Sequence, residues 1–135
     1  MSAAAVLVWL GMVIAISFIE APLKFRAPGV TLPIGLGIGR LVFRALNIAE
    51  GLLAALALAG TLLAGIGGAA LSALGLAVIV LVVQVAAVRP ALSRRSDRVL
   101  AGETGPRSHA HLIYVALEVL KVAALATAGV LLLKP

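Results

Sequence analysis

The chain of 135 residues contains no cysteine, which excludes disulfides, thiolate metal sites and thiol catalysis. Two methionines, Met1 and Met12, leave soft thioether ligands nearly absent as well. Acidic residues number 5 against 11 Lys and Arg, and charged residues make up only 12% of the sequence. Between Met1 and Val8 there is no Lys or Arg, which a secretory leader would carry, and the apolar run continues to Ile19, longer than a typical leader core. That segment is therefore expected to stay attached as a helix.

Apolar residues make up the rest of the balance. The chain is 63% hydrophobic with a mean hydropathy of +1.21, more apolar surface than a soluble domain of this size can hide, so the composition is that of a membrane protein. A helix needs about 20 mostly apolar residues to cross about 30 Å of hydrocarbon. Four stretches meet this requirement, roughly 4–22, 41–65, 69–89 and 111–133, and they predict one all-α domain over 1–135, a bundle of four transmembrane helices.

A net charge of +6 would suggest nucleic acid in a soluble protein, but the basic residues here fall in particular loops, and no nucleic-acid partner is expected. Lys24, Arg26, Arg40 and Arg44 lie between helices 1 and 2, and Arg89, Arg94, Arg95, Arg98 and Arg107 between helices 3 and 4. By the positive-inside rule both loops are cytoplasmic and both termini lie outside. So strong a bias argues against a dual-topology antiparallel dimer. The segment Pro90 to Ser108 is the one soluble-looking stretch, and its arginines suit contact with anionic lipid headgroups.

The run Ala21 to Pro33 holds three prolines and a glycine, so it cannot be one continuous helix. Thr31 is placed to cap a helix with Pro33 in its first turn. A helix from there to Gly65 would be about 50 Å long, so its first turns are expected in the interface or kinked around Gly35, Gly37 and Gly39. Those glycines spell G-x-G-x-G, but the spacing is wrong for a dinucleotide loop and no strand precedes it. Small residues recur at four-residue steps as Ala69, Ala73 and Ala77 on helix 3 and Ala124 and Ala128 on helix 4, where they let backbones approach closely. The outer half of the bundle is expected to be dry and tightly packed.

Polar side chains within the apolar stretches gather in the other half. On helix 2, Arg40, Arg44, Asn47 and Glu50 follow spacings of 4, 3 and 3 along one face, and on helix 4 His111, Tyr114, Glu118 and Lys121 follow 3, 4 and 3. Counting 1.5 Å per residue from the predicted cytoplasmic edge places Glu50 and Glu118 about 8 Å deep, with Gln84 level with them above Arg89. Glu20 and Ser17 close the same end of helix 1. Hydrocarbon tolerates an ionisable group when it is paired or lines a watery cavity, so this layer is the candidate site. It suits a cavity open to the cytoplasm and plugged on the outer side, rather than a continuous pore. The bland alternative is a purely structural network, with Glu118 paired to Lys121 and Glu50 to Arg44 or Arg89.

His109 and His111 form H-x-H at the mouth of helix 4, near Glu118, Glu50 and Glu20, and imidazole with carboxylate suits a divalent metal ion such as zinc, copper(II) or iron. On a helix the two histidines point about 200° apart, so a joint site requires residues 108–110 to be non-helical. A haem site lacks a second axial ligand, and neither Ser17 nor Ser72 has a histidine level with it to form a hydrolase triad.

Trp9-Leu10-Gly11, Glu20-Ala21-Pro22-Leu23, Phe25-Arg26 and Gly39-Arg40-Leu41 together resemble a group of small four-helix bacterial membrane proteins without assigned function, distantly similar to the membrane module of the copper-resistance protein D type. The resemblance covers about the first 45 residues and implies metal handling, especially of copper, at the bacterial inner membrane. Three functions follow as expectations: binding or translocation of a small ion or polar molecule at the layer of Glu50, Glu118, Asn47 and His111; a non-catalytic subunit of a larger membrane complex; or an intramembrane enzyme acting on a lipid or quinone. Four short helices enclose little volume alone, so a homo-oligomer or larger assembly is expected.

Overall fold

A computed structural model describes residues 1–103 and 109–134, so Arg107 and Ser108 of the basic loop lie outside the described residues. The described chain is helical, with four helices long and apolar enough to cross a membrane: α1 Ser2–Arg26, α2 Leu32–Leu63, α3 Gly68–Leu100 and α4 His109–Leu133. α1 packs against α2 and α4, and α4 against α3, with a smaller contact between α2 and α3.

Three helices run further at the basic end than hydropathy indicates. α1 continues past 22 to Arg26, α2 begins at Leu32 rather than 41, and α3 passes through Pro90 to Leu100 instead of ending at 89. The two prolines are tolerated because a wide π turn precedes each. Ala21 N–H reaches back five residues to the Ile16 carbonyl ahead of Pro22, and Arg89 N–H reaches back to the Gln84 carbonyl ahead of Pro90. A proline ring clashes with a regular preceding turn and offers no N–H, and a π turn opens the room for it. Ser17 and Glu20 lie within the first π segment, Ile14–Glu20, and Gln84 opens the second, Gln84–Val88.

The helix ends follow local chemistry. The chain breaks at Ala27, extended at ψ 138, and reverses through Gly29 at φ +79. The Thr31 hydroxyl then accepts from Ile34 N–H at 3.4 Å, capping α2 with Pro33 in its first turn. α2 ends in a Schellman motif, with Gly65 N–H on the Leu62 carbonyl and Ile66 N–H on the Thr61 carbonyl, and Gly65 supplies the positive φ of 67° that the motif needs.

α2 is a continuous α-helix over Leu32–Leu63, so the glycines do not interrupt it. Instead they make room for α1. A Cβ at Gly35 would overlap the Phe25 ring, and one at Gly39 would sit 2.9 Å from Lys24 Nζ, while one at Gly37 would meet open space. The four-residue spacing of Gly35 and Gly39 therefore forms a groove that receives the end of α1.

Val6, Trp9, Val13, Ala57, Leu74, Ala77, Leu125 and Ala128 form the dry core at the end away from the basic loops. Alanines at Ala57, Ala77, Ala124 and Ala128 allow close helix approach without a driving force from water. On α3 the buried row is Ala70, Leu74, Ala77, Leu81, Gln84 and Val88, whereas Ala69 is exposed and Ala73 half-buried. The expected four-step row is wrong at those two positions because a strict four-residue step drifts around a helix of 3.6 residues per turn. Alternating steps of four and three hold the seam.

Candidate functional site

The same seam positions that carry alanine and leucine in the dry half carry ionisable and amide side chains one to two turns nearer the basic end. On α4 they are Lys121, Glu118 and Tyr114, on α3 Gln84, and on α2 Glu50, all buried. Lys121 is the hub. Its Nζ lies 2.5 Å from Glu50 Oε1 and 3.3 Å from Glu118 Oε1, and it donates to Gln84 Oε1 at 2.9 Å. Gln84 Nε2 donates to Glu118 Oε2 at 2.6 Å, with a longer contact of 3.5 Å to the Tyr114 carbonyl. From α1, Trp9 Nε1 donates to Glu50 Oε1 at 2.9 Å and Ser17 Oγ to Glu118 Oε1 at 3.1 Å. The four predicted helices thus meet in one polar layer.

The layer is unevenly satisfied. Both oxygens of Glu118 receive donors, but Glu50 Oε2 is buried without a hydrogen-bond partner among the described residues. Glu50 takes Lys121 rather than Arg44 or Arg89, while the expected pairing of Glu118 with Lys121 is present. Fully ionised, the triad holds two negative charges and one positive one, in a region where charge is poorly solvated.

Towards the basic end the layer opens into a cavity of about 440 Å³ whose lining includes Ser17, Tyr114 and Glu118. Its walls include Phe18, Phe25, Leu36, Phe43, Leu92 and Val115, and it is also lined by Lys24, Arg40, Arg89 and His111. Phe43 organises the basic side chains. Lys24 Nζ lies 5.6 Å from its centroid and the Arg89 guanidinium 5.0 Å, distances at which the ring face attracts a cation. Tyr114 meets the same ring edge-on, with centroids 5.9 Å apart. With the Asn47 amide turned so that its oxygen faces Arg89, that oxygen accepts from Nε at 3.0 Å and Nη2 at 3.2 Å. Arg40 pairs with Asp97 and donates to the Ser93 carbonyl at 3.1 Å, tying the start of α2 to the extension of α3.

The remaining predicted residues are less central. Glu20 pairs with Lys24 at 3.6 Å on α1, and Arg44 is exposed and does not line the cavity. His109 and Ala110 are helical, so the non-helical stretch that a joint H-x-H site requires is not formed at those positions, and His109 is exposed. Among the described residues no three His, Asp or Glu side chains gather to hold a metal ion.

Sequence reasoning missed Trp9, Lys24, Phe43 and Asp97 as members of the site. Trp9 was signalled, because a lone indole in an apolar helix needs an acceptor for its N–H. Asp97 was hidden by the assumption that the chain leaves the helix at Pro90. Compared with known proteins, the chain matches no family model, no curated protein and no solved structure.

Proposed function

We propose that this chain binds or translocates a small ion or polar molecule through a cavity facing the cytoplasm, in the bacterial inner membrane, with Glu118 and Glu50 as the acceptors. The observation that carries this reading is the direct connection of the cavity to the buried layer. Glu118 lines the cavity and shares Lys121 with Glu50, whose second oxygen has no hydrogen-bond partner among the described residues. Lys24, Arg40 and Arg89 act as charge partners on the way in, and the dry core beyond Lys121 closes the opposite side. The arginines of the α3 extension lie at the level of anionic headgroups.

The test is the double variant Glu50→Gln/Glu118→Gln in proteoliposomes, screened with a panel of small ions and polar solutes for binding or uptake. The reading expects loss of the wild-type signal while the fold persists. Unchanged binding and uptake would sink it.

A second reading is favoured by the walls. Six large apolar side chains face the cavity beside a carboxylate and a tyrosine, which suits an amphiphile such as a lipid or quinone acted on at Glu118. Mass spectrometry of protein extracted with its native lipids separates the two, because a stoichiometric amphiphile lost on Phe43→Ala belongs only to the second.

A further inference from the structure

We propose that the buried layer holds one exchangeable proton, seated on Glu50 Oε2 and supplied through the cavity by way of Glu118 and Lys121. This deepens the reading of the layer as the functional site and rests on it for the direction of supply. Glu50, Glu118 and Lys121 are buried together, and within this directly paired triad two carboxylates against one ammonium leave one negative charge in excess. Among the described residues Tyr114 of α4 and Arg89 of α3 are further titratable or charged groups at this level, His111 and Lys24 line the adjoining cavity, and the guanidinium is engaged by Asn47 and Phe43. From α1 and α3 the layer receives the neutral Trp9, Ser17 and Gln84.

The hydrogen bonds single out where the compensating charge sits. Glu118 is solvated by donors at both oxygens, and Glu50 Oε1 has Trp9 and Lys121. Within this layer, Glu50 Oε2 is the oxygen left without a hydrogen-bond partner among the described residues, whereas the other such oxygen, Glu20 Oε2, lies beside Lys24 on α1. An anionic oxygen without a donor is costly in such surroundings, and a neutral carboxylic acid much less so. The cavity lining does not include Glu50, and a proton needs no added volume there.

The route balances. A proton entering from the cavity binds the Glu118 carboxylate. Lys121 gives one N–H proton to Glu50 Oε1, 2.5 Å away, becoming a neutral amine, and a half-turn of the new carboxylic acid about Cγ–Cδ carries its O–H to the Oε2 position. Glu118 then returns its proton to Lys121 across 3.3 Å. The net change is one proton moved from the cavity to Glu50, with Lys121 and Glu118 restored.

The experiment is infrared spectroscopy of the protein in ether-lipid vesicles at neutral pH, reading the carboxylic-acid C=O band and its downshift in D2O. The wild type is expected to show a band equivalent to one carboxyl per chain. Glu50→Gln removes the group, and Glu118→Gln removes the excess charge, so each variant is expected to lose the band. Absence of the band in wild type overturns the proposal, as does a band that survives Glu50→Gln or Glu118→Gln. No solute is added, so the band stands even if uptake fails the test above, and its absence counts against the proton even if uptake passes.

Discussion

Lys121 Nζ lies 2.5 Å from Glu50 Oε1, and both side chains are fully buried. An ammonium on α4 thus joins the carboxyl group of Glu50 on α2 across the centre of the bundle, and Trp9 of α1 donates to the same oxygen. Breaking a buried pair by removing one partner costs about 3–5 kcal/mol because the other charge is left uncompensated. Lys121→Met leaves the buried Glu118 carboxylate without its cation and is expected to lower stability by about that amount. Adding Glu118→Gln to it is expected to recover part of the loss. Denaturant unfolding in detergent checks both, and a double variant no more stable than Lys121→Met would contradict the pairing.

Trp9→Phe keeps most of the ring volume and removes the N–H that Glu50 receives. The cost expected for a donor lost to a buried acceptor is about 1–3 kcal/mol, read in the same unfolding assay. The fold should survive it, since the apolar packing of Val6, Val13 and Leu125 is unchanged.

The three glycines of G-x-G-x-G are predicted to differ. Gly35→Ala drives a methyl into the Phe25 ring and Gly39→Ala crowds Lys24, whereas Gly37→Ala meets open space. Overpacking costs about 1–3 kcal/mol, so Gly35→Ala should destabilise the protein most. Gly39→Ala should cost less because the Lys24 side chain can give way. Gly37→Ala should be neutral or stabilising by up to about 1 kcal/mol, from helix propensity alone. Equal effects at Gly35 and Gly37 would exclude the groove.

Asp97→Asn tests whether the Arg40 pair contributes to stability. The two side chains are 39% and 64% exposed, and an exposed pair contributes about 0–1 kcal/mol. Thermal unfolding should barely move.

Much of the fold could be read directly from the residues. Four apolar stretches, the Thr31 cap and the polar stripes of α2 and α4 all follow from spacing and composition. The lengths of α1 and α3 at the basic end were not legible, because Pro22 and Pro90 are ordinary helix stops unless a π turn precedes them. The layer itself was legible from the depth of Glu50, Gln84 and Glu118. The Glu118–Lys121 pair within α4 was legible too, but the wiring between helices was not, since spacing shows which side chains share a face and leaves open which partner each meets across it. For that reason spacing offers Arg44 or Arg89 to Glu50, and Lys121 takes it. The Asp97 contribution was hidden for the same reason as the α3 extension.

The central claim is that the buried layer communicates with one side of the membrane only, through the cavity at Ser17. The natural sequence has no cysteine, so a single Ser17→Cys variant can be labelled without background. In vesicles of defined orientation, with Ser96→Cys and Ala64→Cys marking the basic end and the opposite turn, a membrane-impermeant thiol reagent is added from each side. The account predicts that Ser17→Cys reacts from the face that labels Ser96→Cys and is silent from the face that labels Ala64→Cys. Reaction from the Ala64 face, or from neither face, would contradict it.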